Sequence, residues 1–169
     1  ADLGQFMTPP EIARFMASMF TPQMPSTVRL IEAGAGRAAL TKAFVECWSR
    51  RTNCHIEAHA YEYDSMVIDD LRDVLDECEQ LGSVSTQIFD GDFIEAAASM
   101  IRLERGPRYS HAILNPPYRK IGTGSQHRKW LRAIGLETVN LYTGFLGLVL
   151  ELLTNDGQAV AIIPRSFCN

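Results

Sequence analysis

Paired cysteines, long apolar runs and an excess of one charge are all missing from this sequence, and each absence narrows the class of protein. The four cysteines have no CxxC spacing and no accompanying pair of histidines, so neither a zinc site nor a disulfide framework is indicated. No apolar run approaches the roughly 20 residues that a membrane-spanning helix needs, and no basic-then-apolar signal segment opens the sequence. These absences predict a cytoplasmic enzyme or binding module with reduced thiols.

The net charge is small, at −4 over 169 residues, and by itself it does not indicate a nucleic-acid-binding protein. The charges are unevenly distributed, however. Residues 57–95 contain twelve acidic residues and a single cationic one, whereas residues 119–132 contain five cationic residues and no acidic one. The length and the 46% hydrophobic content suit one folded domain with a sizeable core.

Strand-like apolar runs alternate with helical patterns along the chain. We predict five strands, at 28–31, 56–62, 85–89, 109–114 and 159–163. The helices between them are expected at about 37–48, 65–81, 93–103 and 139–153. Such alternation predicts a parallel sheet with right-handed crossovers, in which ligands bind at the carboxyl ends of the strands.

Two further local patterns concern the ends of helices. Thr8 is expected to be the N-cap of a first helix, with Glu11 completing a capping box. The spacing of the large apolar residues predicts which face of this helix is buried, namely Ile12, Phe15, Met16 and Met19. At the other end of the chain, residues 155–157 (Asn-Asp-Gly) are expected to stop the last helix before the fifth strand.

The most informative residues follow the fourth predicted strand and read Asn115-Pro116-Pro117-Tyr118. The Asn115 side chain can accept a hydrogen bond from an amino group through Oδ1, and the Pro116 carbonyl can accept another. Tyr118 offers an aromatic face on which a base could stack. This pattern is typical of a site that grips a planar amine, although a rigid Pro-Pro turn would also explain it.

Three other strand ends carry residues that suit an adenosine-containing cofactor. Gly34 and Gly36 turn the first strand into a helix, which leaves backbone amides facing a ligand, or simply makes a tight turn. Glu62 closes the second strand, where a carboxylate can bind ribose hydroxyls or face solvent. Asp92 and Phe93 close the third strand and could hold an adenine ring, or form an ordinary turn. Together the three positions favour the cofactor.

With these motifs in this order, the chain resembles the S-adenosylmethionine-dependent amino-group DNA methyltransferases. The resemblance is to the gamma group of adenine-N6 enzymes of restriction–modification systems, because a motif X precedes motif I. Segments similar to motifs X, I, II, III, IV and VI lie at 6–13, 32–36, 62, 92–93, 115–118 and 158–167. One departure is Ala33, which stands where proline is common in the family.

The resemblance implies a Rossmann-like class I methyltransferase fold with strand order 3-2-1-4-5 and S-adenosylmethionine as the cofactor. Residues 1–169 would form a truncated catalytic domain that lacks the last two strands and the target-recognition region of the family. The residues that the resemblance assigns to the cofactor are Phe6, Thr8, Pro9, Glu32, Gly34, Gly36, Glu62, Tyr63, Asp92 and Phe93. Catalysis is assigned to Asn115, Pro116, Pro117 and Tyr118, without a metal.

A DNA substrate follows from the same resemblance, with the target adenine flipped out of the duplex. The basic stretch after Tyr118 is then expected to be a mobile loop that contacts phosphates, although it could be an ordinary solvated loop. Its candidate contacts are Arg119, Lys120, Arg128 and Lys129. Trp130 is expected to anchor the core, and His111 and His127 are expected to have structural roles.

Two alternatives stay open on the sequence alone. Protein-glutamine N5 methyltransferases and ribosomal RNA base methyltransferases can also carry Asn-Pro-Pro-Tyr. The chain could instead be an inactive cofactor-binding module of a larger restriction or defence complex, with fused or associated recognition and nuclease parts.

Overall fold

Five parallel strands form a single sheet in the computed structural model, which describes residues 7–22, 25–49, 51 and 53–165. Their order across the sheet is β3-β2-β1-β4-β5, as predicted. The strands are β1 (Thr27–Ala33), β2 (His55–Glu62), β3 (Val84–Asp90), β4 (Tyr109–Leu114) and β5 (Leu153–Ala161). Because β1 is central, the reversal of strand order lies between β1 and β4, where a ligand crevice is expected in such sheets.

Helices cover both faces of the sheet. They are α1 (Pro10–Ser18), α2 (Ala39–Trp48), α3 (Ile68–Glu79), α4 (Phe93–Arg102), α5 (Gln126–Ala133) and α6 (Leu141–Leu152). A short 3-10 turn, Ser65–Val67, precedes α3. None of the helices in the described ranges is long and apolar enough to cross a membrane.

Two large apolar clusters lie on opposite faces of the sheet, and β1 contributes to both by alternation. Val28 and Leu30 point into the cluster that contains α1 and α2. Ile31 and Ala33 point into the cluster that contains α4, α5 and α6. Burial on both faces fixes the register of the central strands, because a shift of one residue would exchange the two sets.

The prediction for the buried face of α1 is correct for Met16 and wrong for Ile12, Phe15 and Met19. Ala13, Met16 and Ala17 are buried there, whereas Phe15 is 63% exposed and Met19 is 56% exposed. The small side chains allow α1 to approach α2 closely, and the indole Nε1 of Trp48 donates a hydrogen bond to the Ala17 carbonyl at 2.9 Å. Close approach through alanines therefore outweighs the burial of the larger side chains.

The predicted cap of α1 is also wrong. Pro9 occupies the N-cap position, and no side chain caps the helix. The Thr8 hydroxyl instead accepts a hydrogen bond from the side chain of Asn115, 3.1 Å away. Successive prolines explain why no side-chain cap is needed, since Pro10 has no backbone N–H to satisfy at the first helical position.

The structure differs from the prediction at α5 and at the start of β5. The basic stretch expected to be a loop contains helix α5, whose N-cap is Ser125. Strand β5 begins at Leu153, directly after α6, so the Asn-Asp-Gly at 155–157 lies within the span of the strand. The pairing with β4 shifts there, from Tyr109 opposite Leu153 to His111 opposite Gln158, so the turn residues are accommodated as an irregularity in the ladder.

Candidate active site

Two cavities open at the carboxyl ends of the central strands. The larger has a volume of about 300 Å³ and its walls include Glu62, Asp92 and Phe93. The smaller has a volume of about 50 Å³ and its walls include Thr8 and Glu32. Gly34 and Asn115 line both cavities, so the glycine turn and the Asn-Pro-Pro-Tyr motif lie where the two meet.

The glycine turn after β1 needs two residues in the left-handed region. Gly34 has φ +74° and Gly36 has φ +55°, where a residue with a Cβ is strained. The backbone amide groups of Gly34 and Ala35 both donate to the Tyr61 carbonyl, each at 2.9 Å. The turn is thereby tied to the end of β2, and its position is set before any ligand binds.

Glu62 is the residue that completes this connection. It is 1% exposed, and its Oε2 accepts a hydrogen bond from the backbone amide of Gly36 at 2.7 Å. Its Oε1 accepts from the backbone amides of Tyr63 and Asp64 at 2.8 Å and 2.7 Å. Tyr63 itself is 63% exposed and lines the larger cavity. Glu62 therefore holds the glycine turn as well as facing the cavity.

Glu32, at the end of β1, is 2% exposed and is held by Thr41 from helix α2. Its Oε2 accepts from the Thr41 backbone amide at 2.9 Å and from the Thr41 hydroxyl at 2.5 Å. Burial raises the pKa of Glu32 to about 8, a rise that the hydrogen bonds from Thr41 oppose and the charge of Glu62 reinforces. The side chain is thus a buried carboxyl at the wall of the smaller cavity.

Asp92 links helix α4 to helix α5. Its Oδ1 caps α4 by accepting from the backbone amides of Ile94 and Glu95, at 2.8 Å and 3.2 Å. Its Oδ2 lies 2.5 Å from His127 Nε2. Burial alone would raise the pKa of Asp92, but the hydrogen bond and charge of His127, with the two backbone amides, bring it below its ordinary value. Phe93 beside it is 3% exposed.

The Asn-Pro-Pro-Tyr motif follows β4 directly, and its asparagine is held from two sides. Asn115 Nδ2 donates to Thr8 Oγ1 at 3.1 Å. The Tyr118 hydroxyl lies 3.3 Å from Asn115 Oδ1 and 3.2 Å from the Ile162 carbonyl. Pro116 is buried, and Pro117 lines the larger cavity. The amide of Asn115 therefore presents its oxygen on the Tyr118 side of the motif.

The cationic residues after the motif divide into two groups. Arg119, Lys120 and Lys129 are exposed, and Arg119 also lines the larger cavity. Arg128 has a side chain only 14% exposed, and its guanidinium contacts the Glu137 carboxylate at 2.6 Å. Arg128 is therefore committed to an ion pair within the segment, which leaves the exposed group as the candidates for phosphate contacts.

Most of the residues predicted for the site come together, but not all. Phe6 lies outside the described residues, and Pro9 is an exposed helix cap that lines neither cavity. His127 was expected to be structural, yet it faces the larger cavity. No spacing in the sequence pairs His127 with Asp92. Within the described ranges, no three His, Cys, Asp or Glu side chains are grouped as a metal site would require.

Solved structures share the whole of this architecture. One is a Listeria monocytogenes protein assigned to the class I S-adenosylmethionine-dependent methyltransferases, with a TM-score of 0.72 at 14% identity, covering 96% of this chain and 47% of its own. Another is a type I restriction-modification system methyltransferase subunit from Streptococcus thermophilus, with a TM-score of 0.69 at 16% identity, covering 97% of this chain and 36% of its own. The fold is that of the class I S-adenosylmethionine-dependent methyltransferases.

Sequence relatives narrow the family further. The chain is 41% identical over 175 residues to Type II methyltransferase M.BsuBI of Bacillus subtilis, covering 100% of this chain and 35% of the relative. It is 36% identical over 173 residues to Type II methyltransferase M.PstI of Providencia stuartii, covering 99% of this chain and 34% of that relative. No protein-family model matches.

The similarity to these two Type II methyltransferases over almost the whole chain confirms the predicted resemblance to methyltransferases of restriction–modification systems. It spans about a third of the length of the two relatives.

Proposed function

We propose that the chain is the cofactor-binding and catalytic part of a DNA methyltransferase that methylates the exocyclic N6 of adenine. The observation that carries the proposal is the position of Asn115, which lines both cavities beside the glycine turn. Asn115 thereby lies at the boundary between the two cavities, which together suit the cofactor, and the surface after β4, on which a second planar group could lie. Transfer between two bound molecules requires such a shared boundary.

The residues around the cavities fit S-adenosylmethionine. Glu62 Oε2 accepts a backbone hydrogen bond from Gly36, and the carboxylate lies in the wall of the larger cavity at the end of β2, a position that suits the hydroxyls of a ribose. The apolar wall at Phe93 suits the adenine ring. The smaller cavity, beside Thr8 and the glycine turn, suits the methionine part. When bound, S-adenosylmethionine supplies an electrophilic methyl group whose sulfur keeps the bonding electron pair.

Asn115 and Pro116 would activate the target nitrogen. An adenine N6 is a poor nucleophile because its lone pair is delocalised into the ring. Asn115 Oδ1 and the Pro116 carbonyl would each accept a hydrogen bond from one N–H of this amino group. The two hydrogen bonds draw the nitrogen lone pair out of conjugation with the ring. These hydrogen bonds strengthen as positive charge develops on nitrogen, so they favour the transition state over the ground state. The methylated nitrogen then loses one proton to water.

A DNA substrate is supported by the relationship to the Type II methyltransferases and by the exposed cations beside the motif. Arg119, Lys120 and Lys129 would contact phosphates. The target base would have to leave the duplex to reach Asn115, at a cost of a few kcal/mol. Stacking on Tyr118 would recover about 1–3 kcal/mol of that cost.

The test is to incubate the chain with methyl-labelled S-adenosylmethionine and unmethylated genomic DNA, and then to identify the labelled nucleoside by mass spectrometry. We expect N6-methyladenine. Labelled N4-methylcytosine would overturn the assignment to adenine, and label in a release factor or in ribosomal RNA, with none in DNA, would favour the other amino-methyltransferase classes.

A cofactor-binding module without activity of its own is the second candidate. Calorimetry separates the two candidates. Binding of S-adenosylmethionine without transfer to any of these acceptors would support the module, whereas transfer to DNA would refute it.

A further inference from the structure

His127 lies on α5, within the basic segment, and lines the larger cavity. The reaction described above does not use it. Its Nε2 lies 2.5 Å from Asp92 Oδ2, with the two side chains 35% and 20% exposed. Both residues line the larger cavity. The pair therefore joins the third strand end, on the cofactor side, to the segment that follows the Asn-Pro-Pro-Tyr motif.

The Asp92 carboxylate is held between two helices. Its Oδ1 is fixed by the backbone amides of Ile94 and Glu95 at the start of α4. Its Oδ2 is fixed by His127 near the start of α5. Without His127, Asp92 Oδ2 would lose its hydrogen bond to the imidazole, and the carboxylate could rotate about Oδ1. The direction in which Asp92 presents its remaining lone pairs thus depends on His127.

His127 is presented from an ordered platform. Leu131 on the same helix is fully buried, and its side chain lies against Gly144 of α6, where an added Cβ would be 3.1 Å from it. The segment is closed at its base by hydrogen bonds from the Ile121 amide to the Val139 carbonyl, 2.7 Å, and from the Leu141 amide to the Arg119 carbonyl, 2.8 Å. His127 is therefore placed by packing rather than by the ion pair alone.

On the basis of the proposed function, we infer that His127 is a positioning residue for the cofactor. In its protonated form it holds the Asp92 carboxylate toward the adenine end of the cavity and keeps the start of α5 closed over that end. Cofactor binding is then coupled to protonation of His127, because the bound cofactor favours protonated His127 paired with the Asp92 carboxylate.

The charges around His127 agree with this role. The hydrogen bond from His127 to Asp92, followed by the attraction of the two charges, raises the pKa of His127 above its ordinary value although burial opposes the rise. Asp92 faces it from α4, its neighbour Trp130 on α5 is uncharged, and Glu62 and Arg119 are the other charged groups of the cavity wall. Because binding and protonation are linked, a cofactor that favours the protonated form must raise this pKa further.

Two measurements on the chain test the inference, with S-adenosylhomocysteine as the probe. Calorimetry from about pH 6 to about pH 9 should show affinity falling as the pH rises through the pKa of His127. His127→Ala should weaken binding on the order of tenfold at the lower pH and remove the part of the pH dependence that His127 causes, which leaves any part due to Glu32, whose pKa is raised to about 8. His127→Gln should recover part of the affinity without restoring the part of the pH dependence due to His127. His55→Ala is the matched control, since His55 contacts Ser83 and Ser85 at the other end of the sheet.

Proton NMR provides the readout that a purely structural role would not move. Saturating S-adenosylhomocysteine should raise the pKa of His127, and Asp92→Asn should lower it in the free protein. An unchanged pKa on saturation, or equal or tighter binding by His127→Ala, would overturn the inference while leaving the proposed function in place. Failure of the unmodified chain to bind the probe at any pH would instead refute the proposed function, and the inference with it.

Discussion

The two sides of the cavity are built in different ways. On the cofactor side, at the ends of β1 and β2, Glu32 and Glu62 are 2% and 1% exposed, and the partners of Glu62 are backbone amides. On the substrate side, after β4, Asn115 relies on the hydroxyl of Thr8 across 107 positions of sequence. The cation Lys129 on that side is exposed.

The difference indicates which part of the site is preformed. Backbone amides at the ends of packed strands cannot move without moving the sheet, so the groups they hold are fixed before a ligand binds. Side-chain partners can rotate, and one substitution removes them. We therefore expect substitutions on the cofactor side to act on binding and folding, and substitutions on the substrate side to act on methyl transfer and DNA contact.

The largest effect is expected for Asn115→Ala. The loss of one acceptor that strengthens in the transition state should lower methyl transfer by about 10²–10³-fold or more. Affinity for S-adenosylmethionine should stay within a few-fold, because Glu62 and the glycine turn are untouched. Radiolabel transfer and calorimetry measure the two quantities, with the exposed Asn155→Ala as control. A matching loss of cofactor affinity would break the comparison, since it would place Asn115 on the cofactor side.

The next largest effect is expected for Glu62→Ala, and it should be a loss of affinity for the cofactor. It removes the acceptor of three backbone amides and the carboxylate proposed for the ribose. We expect affinity for S-adenosylmethionine to fall on the order of tenfold or more, with a lower melting temperature, because buried donors left without partners cost about 1–3 kcal/mol. Glu57→Ala, in the same strand but in an ion pair with Arg29, is the control. An unchanged dissociation constant would remove Glu62 from the ribose site.

The strands were predictable because their patterns are local, since buried parallel strands are continuous apolar runs. Alternation with helices predicted a parallel sheet, and the order of its strands followed from the family resemblance. The burial of α1 was not predictable from local pattern, since both the face with Phe15 and the face with Ala13 and Ala17 are apolar. The choice depends on α2, against which alanine side chains allow a closer approach.

The strand-end residues of the site were predictable for the same local reason, but their partners were not. Thr8 and Asn115 are 107 positions apart, and Asp92 and His127 are 35 apart. No period or spacing connects such pairs, because each joins two segments whose relative position is set by packing. Arg128 shows the same limit, because its proximity to Glu137 follows from the end of α5 rather than from its place in a basic stretch.

A smaller effect concerns the pH dependence of folding. Because the pKa of Glu32 is raised to about 8, the folded state keeps a proton that the unfolded state loses, and this contribution to stability falls as the pH rises toward 8. Burial lowers the pKa of His111 to about 4, which gives the opposite slope at lower pH. Above about pH 6.5 the slope therefore comes from Glu32 and from His127, whose pKa is raised as well, and only the part due to Glu32 disappears when Glu32 is replaced.

Glu32→Gln keeps an oxygen for Thr41 and removes the ionisation. Denaturant unfolding without cofactor, from about pH 6.5 to about pH 9, should therefore show a flatter stability profile for the variant than for the unmodified chain. Its control is Glu79→Gln, an exposed side chain that contacts Thr86. Parallel profiles for Glu32→Gln and the unmodified chain would mean that Glu32 is ionised in the folded state.

The smallest effect should distinguish two neighbouring cations of α5. Lys129 is exposed, whereas Arg128 is paired with Glu137. If phosphates are contacted only by the unpaired cations, Lys129→Gln should reduce the slope of log affinity against log salt by about 0.9, the value for one released counterion. Arg128→Gln should leave that slope unchanged and lower the melting temperature. Fluorescence anisotropy with a labelled duplex measures the slope. Equal losses of slope would show that DNA opens the ion pair, and the substrate side would then rearrange on binding.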